Sequence, residues 1–226
     1  MSNATLLYGH LADKELVKKV KGGQKAAFEV LVRRHSRALY RVARLYGFSH
    51  SEAEELVICT HLQAYSPRNR YLTDYSYRTW LTRLLIEDCI KADRQLPAFP
   101  STEEPACNAA RSAHHYNSER LNLTSEMTTQ LEQCIEQLPV ERRGIFVLTE
   151  IDGYSAEETA FLLNIAENQV TKELPRAKTE VKQRLGKLQQ ITDIYPFDTD
   201  SCERVVHYVM HKINSTSDTP IGVPAF

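Results

Sequence analysis

The sequence predicts an all-α protein: two small helical domains, a flexible linker between them, and a C-terminal tail with one amphipathic helix. Three observations carry this expectation. Apolar residues recur every three or four positions along most of the chain, with no competing strand-like alternation. Helix start and stop signals punctuate those runs. One stretch, residues 96–124, holds three prolines, small polar residues and little apolar periodicity.

Asp13 is placed to cap a short helix through Leu16, Val17 and Val20, which Gly22 and Gly23 stop. From Gln24, Phe28, Leu31, Val32, Leu39, Val42, Ala43 and Tyr46 hold one helical face. Arg33, Arg34, Arg37, Arg41 and Arg44 mostly decorate the other, and Gly47 is a natural terminator. Ser51 with Glu54 reads as a capping box opening a helix through Leu56, Val57, Leu62 and Tyr65. After the polar, aromatic loop "SPRNRYLTDYS", a fourth helix runs through Trp80, Leu81, Leu84, Leu85 and Ile90. The first domain is therefore expected over residues 1–96 and a linker over 97–124, since so long a structureless run is unusual inside a compact domain.

Helices resume near Ser125 in a second domain over residues 125–190. Pro139 suits a helix start and Gly153 a helix end, and Ser155 with Glu158 forms a second capping box before "AEETAFLL". In the extension 191–226, Asp200 or Ser201 can cap a helix with Val205, Val206, Val209, Met210 and Ile213 on one side. A short amphipathic helix cannot bury itself, so this one is expected to pack on one of the two domains.

Composition narrows the class. No run approaches the roughly 20 apolar residues of a membrane span, so a cytoplasmic location without membrane insertion is expected. The five cysteines are scattered without CxxC spacing, as in reduced proteins. Cys107 with His114 and His115 has poor spacing for a metal, and no metal or other cofactor is expected. No phosphate-binding glycine loop or nucleophile motif supports an enzyme. The net charge of -1 hides a cationic first part, where residues 1–100 carry 16 Lys+Arg against 10 Asp+Glu. Near-neutrality thus leaves room for local nucleic-acid contact.

Residues 153–185, "GYSAEETAFLLNIAENQVTKELPRAKTEVKQRL", read as two helices joined by a tight turn. Ala160 is small where the helices cross, Asn164 tolerates a left-handed turn, and Leu163, Ile165, Val170 and Leu174 can lock the pair. By spacing alone, a DNA-reading helix-turn-helix and a plain helical hairpin fit equally well.

"LPVERRGIFVLTEIDGYSAEETAFLLNIAENQVTKELPRAK" resembles the fourth conserved region of the extracytoplasmic-function (ECF) sigma factors of bacterial RNA polymerase. "AAFEVLVRRHSRALYRVARLYGFSHSEAEELV" followed by "YRTWLTRLL" is similar to their second region. The resemblance covers most of residues 12–188, in the family's order, and implies a four-helix second-region domain, a mobile linker and a fourth-region helix-turn-helix domain. It implies core RNA polymerase and promoter DNA as partners, with an anti-sigma protein as the usual regulator.

The resemblance assigns minus-35 promoter contact to Ser155, Glu167, Asn168, Gln169, Thr171, Lys172 and Arg176, and phosphate contact to Arg142 and Arg143. Asn and Gln suit adenine edges, while Lys and Arg suit guanine or phosphate. It assigns single-strand capture of the minus-ten element to Arg68, Asn69, Arg70, Tyr71, Tyr75, Tyr77, Arg78 and Arg83. Aromatic faces with cations hold unstacked bases at roughly 1–3 kcal/mol per base. Trp80 and Leu81 read as core. Docking on the coiled-coil of the largest polymerase subunit falls to Glu54, Glu55, Leu56, Val57, Ile58, His61 and Leu62.

Departures from the family's pattern accompany the match. Thr171, Glu173 and Pro175 replace cationic or polar residues on the reading helix, and an interior proline costs about 3 kcal/mol. A kink is expected there, with weaker duplex reading. Ile58, Cys59 and His61 replace a glutamine, an acid and a phenylalanine on the docking helix. The alternative is a degenerate sigma-like DNA- or regulator-binding protein that does not program polymerase.

Overall fold

The computed structural model describes residues 2–66, 71, 74–92, 126–185 and 194–215. The expected linker 97–124, with Cys107, His114 and His115, lies outside the described residues, as do Arg68, Asn69 and Arg70. Among the described residues the chain forms ten α-helices and one π-helical turn, with no strand.

The first domain holds α1 (Asn3–Tyr8), α2 (Asp13–Lys21), α3 (Lys25–Leu45), α4 (His50–Tyr65) and α5 (Tyr77–Ala92). Helix α3 is its axle, packed against α1, α2, α4 and α5. Phe28, Leu31 and Leu39 of α3, Val57 of α4, and Leu81 and Leu85 of α5 are fully buried together. Gly47 sits at φ +88 just beyond α3, supplying the left-handed residue that ends a helix.

Three local expectations need correction. Asp13 does not cap α2; it is the first helical residue, and its carboxylate ties α2 to α3 through Arg34 and through His35 Nε2 at 2.8 Å. Helix α4 opens two residues earlier than expected, on Ser49 and Glu52: Ser49 N–H donates to Glu52 Oε2 at 2.8 Å, and Glu52 N–H returns to Ser49 Oγ at 3.4 Å. Both serine–glutamate pairs share the capping spacing, and the earlier one takes it. Arg41 is buried rather than solvated. The six-residue α1 was not anticipated, being too short to show a period.

The second domain holds α6 (Glu126–Glu136), α7 (Val140–Phe146), the π-helical turn Val147–Ile151, α8 (Ala156–Leu163) and α9 (Glu167–Leu185). Pro139 caps α7, and Gly153 takes φ +69 at the exit of the turn. Gly144 lets α7 approach α8 closely, since a Cβ there would lie 3.2 Å from Leu163 Cδ2. Helix α9 packs on α6, α7 and α8 and continues as one helix through Pro175.

The tail helix is α10 (Thr199–Ser215), packed along α3 and α4 of the first domain. Its cap is Asp198 rather than Asp200 or Ser201: Ser201 N–H donates to Asp198 Oδ1 at 2.6 Å, and Ser201 is itself buried inside the helix. The inward side is the expected one, with Val205, Val206, Val209 and Ile213 buried and Met210 half-buried.

Candidate nucleic-acid and polymerase interfaces

The helix-turn-helix is built by α8, α9 and the turn between them. Ser155 accepts from Glu158 N–H at 3.1 Å, and its own N–H donates to Glu158 Oε2 at 3.0 Å, so α8 starts on a complete capping box. Asn164 adopts φ 54 and ψ 46, the left-handed geometry its side chain tolerates better than most. Ala160, Ile145 and Val170 form a small core at the crossing, with Ile165 and Leu174 against it.

On α9, Glu167, Asn168, Thr171, Lys172 and Arg176 are exposed, as is Ser155 at the start of α8. Gln169 is half-buried and donates to Glu141 at 3.3 Å. Glu173 does more than remove a cation. It binds Arg142 Nε at 2.7 Å and Arg176 Nη1 at 2.6 Å, and Glu180 takes the other end of Arg142. The Arg142 hydrogen bond holds the Glu173 carboxyl below its ordinary range, ahead of the contribution from Arg176. Arg143 turns inward, donating to the carbonyls of Glu136 and Leu138 at 2.5 and 3.2 Å.

The candidates for strand capture occupy two environments. Tyr71 and Tyr77 are core residues, 8% and 2% exposed, packed edge-on against each other and near Trp80. Burial pushes the Tyr77 hydroxyl far up. Tyr75, Arg78 and Arg83 face the second domain. The Tyr75 ring stacks on Phe161, with centroids 4.0 Å apart. Arg83 donates to the carbonyls of Phe161 and Leu162 at 2.8 and 3.1 Å. Arg78 lies over the Tyr154 ring at 4.2 Å and donates to the Asp152 carbonyl.

Asp152 is the centre of this contact, and its side chain is only 1% exposed. Arg41 Nε of α3 approaches one carboxylate oxygen to 3.0 Å at an angle that makes an ion contact rather than a hydrogen bond, and Arg78 stands 3.8 Å away. Burial pushes the Asp152 carboxyl up, against the opposing pull of Arg41 and Arg78. Thr79 donates to Glu158 at 2.7 Å, and the Thr82 and Tyr154 hydroxyls meet at 2.7 Å. Sequence reasoning missed Asp152, Tyr154 and Phe161. An aspartate before a glycine reads as an ordinary turn residue, and nothing nearby marks its partners more than seventy positions away.

The docking candidates divide likewise. Val57 and His61 are fully buried, Leu56 is nearly so, Ile58 and Leu62 are half-buried, and Glu55 is exposed. Glu54 faces the tail, where Arg204 Nη2 reaches it at 2.6 Å and His50 stands at 3.3 Å. Burial raises the Glu54 carboxyl, but hydrogen bonds from His50, Arg204 and Ser201 win and hold it at about 2.

Residues 128–181 match the family model described as Sigma-70, region 4. The chain is 30% identical over 189 residues to the ECF RNA polymerase sigma factor SigM of Mycobacterium tuberculosis (strain Erdman), covering 83% of this chain and 86% of that protein. It is 25% identical to the RNA polymerase sigma-H factor of Pseudomonas aeruginosa, covering 78% and 95%. The solved structure of CnrH in complex with the cytosolic domain of CnrY shares the fold at a TM-score of 0.55 and 23% identity, over 78% of this chain and 98% of that one. The chain belongs to the ECF RNA polymerase sigma factors, which are transcription initiation factors and not classical enzymes. No helix among the described residues is long and apolar enough to cross a membrane.

Proposed function

We propose that this chain directs core RNA polymerase to a small set of promoters through two separate readers, and that it does so in the cytoplasm. The 1–96 domain docks on polymerase and captures the melted minus-ten strand; the 125–190 domain reads the minus-35 duplex; 97–124 tethers them. The observation that carries this reading is the polar face of α9, where Asn168, Thr171, Lys172 and Arg176 are open beside a correctly capped turn. Side chains of these types read base edges and phosphates in a major groove. Polymerase supplies the geometry that lets two weak readers act together. An anti-sigma partner, the regulator the family resemblance implies, is proposed here too; the similar CnrH is seen in complex with the cytosolic domain of CnrY.

In vitro transcription with cognate core enzyme on the organism's own upstream DNA tests this. Addition of the chain should yield promoter-specific transcripts, and substituting Lys172 and Arg176 together by Ala should reduce them at least tenfold. A folded chain that does not bind core would favour a sigma-like regulator instead. The inward-turned Val57 and His61 on α4 are the observation in favour of that second reading.

A further inference from the structure

The segment 194–215 touches both domains at once. At its start, Tyr195 N–H donates at 2.8 Å to Glu132 Oε1 of α6, a carboxylate buried to 1% exposure in the second domain. The Tyr195 ring lies 5.3 Å from the Arg44 guanidinium of α3, and the Phe197 ring stands 4.8 Å from that of Tyr40. Further on, α10 is fixed to the first domain by Arg33, which forks onto Glu203 at 2.5 and 2.9 Å, and by Arg204 on Glu54. Lys25 Nζ closes the far end on the Ile213 carbonyl at 2.9 Å. The buried Val205, Val206, Val209 and Ile213 supply the apolar seat.

The contact that this segment spans is the one that covers Tyr75, Arg78 and Arg83. Stacking on Phe161 uses the face that a base would need, and the Asp152, Phe161 and Leu162 carbonyls take guanidinium protons that a phosphate would accept. The recognition helix α9 stays open, so closure hides one reader and leaves the other exposed.

We propose that 194–215 is an intramolecular clamp that keeps the second domain seated on the single-strand-capture residues, so that strand capture requires its release. Because the clamp belongs to the same chain, it acts at any protein concentration, and a partner need only displace α10 or the 194–198 strap to open the molecule. The proposal rests on the sigma-factor reading for what is uncovered, but not for the closure itself.

The test uses the full chain in two variants. Glu132→Ala with Phe197→Ala loosens the strap, and Val205→Asp with Val209→Asp lifts α10. Small-angle scattering reads closure, and anisotropy of a fluorescein-labelled single-stranded DNA oligomer reads the uncovered surface. Both variants should show a larger radius of gyration and about tenfold tighter oligomer binding, the shift expected when a minority binding-competent form becomes the majority. Wild-type dimensions and affinity in variants of unchanged helix content would overturn the clamp. If the double aspartate variant fails to fold, the strap variant, altered outside α10, decides alone. Failure of every form to bind core polymerase would overturn the functional reading while leaving the scattering result to judge the clamp.

Discussion

His61 is a docking candidate by its place on α4, yet it has no exposed surface. Its Nε2 lies 3.1 Å from Ser36 Oγ, its Nδ1 has no hydrogen-bond partner, and Phe28 packs edge-on beside it. Burial pushes its pKa from 6.5 down to about 3, with His35 adding repulsion. The folded protein therefore refuses a proton that the unfolded chain accepts below pH 6.5. Stability should fall as pH drops from 6.5 toward 3, at on the order of 1 kcal/mol per pH unit. His61→Leu should flatten that slope, because Ser36 keeps its bond to the Val32 carbonyl at 2.7 Å and is not orphaned. Urea midpoints across this pH range would check it; an unchanged slope in the variant would show that other groups carry the acid sensitivity.

At the scale of the element, α9 shows what periodicity reveals and what it hides. Its existence, its turn and its inward Val170, with Leu174 packed beside it, follow from spacing and from an asparagine fit for a left-handed bend. The start of α4 was harder, because Ser49 with Glu52 and Ser51 with Glu54 satisfy the same local rule, and only the tertiary use of Glu54 by Arg204 separates them. The proline is expected to bend the helix rather than to start a new one, and α9 does run across it as one helix. The ring leaves the Thr171 carbonyl without its usual amide donor. Exposure of Thr171 and Pro175 lets water serve that carbonyl instead. The ion pairs that Arg142 makes with α9 were not legible, since they join residues of α7 and α9 thirty-one and thirty-eight positions apart. Glu173→Gln should release Arg176 toward duplex phosphate and loosen Arg142, which Glu180 still holds. Duplex affinity should rise at low salt, and the log–log salt slope should steepen by about one to two units, one per phosphate gained. Fluorescence titrations at several salt concentrations would measure both, and an unchanged slope would mean that neither arginine reaches DNA.

For the whole molecule, the division into two helical units could be read from the break at 96–124, but their mutual packing could not. The contact combines polar residues that look like ordinary surface ones, Arg78, Thr79, Arg83, Asp152 and Glu158, with the Tyr75–Phe161 stack and a buried apolar cluster that runs through both halves. Asp152 binds the halves most directly, and removing one member of a buried charge group commonly costs about 3–5 kcal/mol by leaving the others unpaired. Asp152→Ala should therefore loosen the coupling between the domains without unfolding either. Trp80, the only tryptophan, reports the first domain, whereas circular dichroism reports all helices. In the parent protein the two denaturation curves should coincide. In the variant they should separate, and coincidence there would argue that the halves hold together without this charge.

Tyr195 adopts φ +48, a backbone setting that bulky side chains avoid at a cost of about 1 kcal/mol or more. It is kept there by its burial and by the Glu132 carboxylate on its amide. The seated tail thus resembles a sprung catch: lifting it lets one residue relax into an ordinary extended shape, and reseating must wind that residue back.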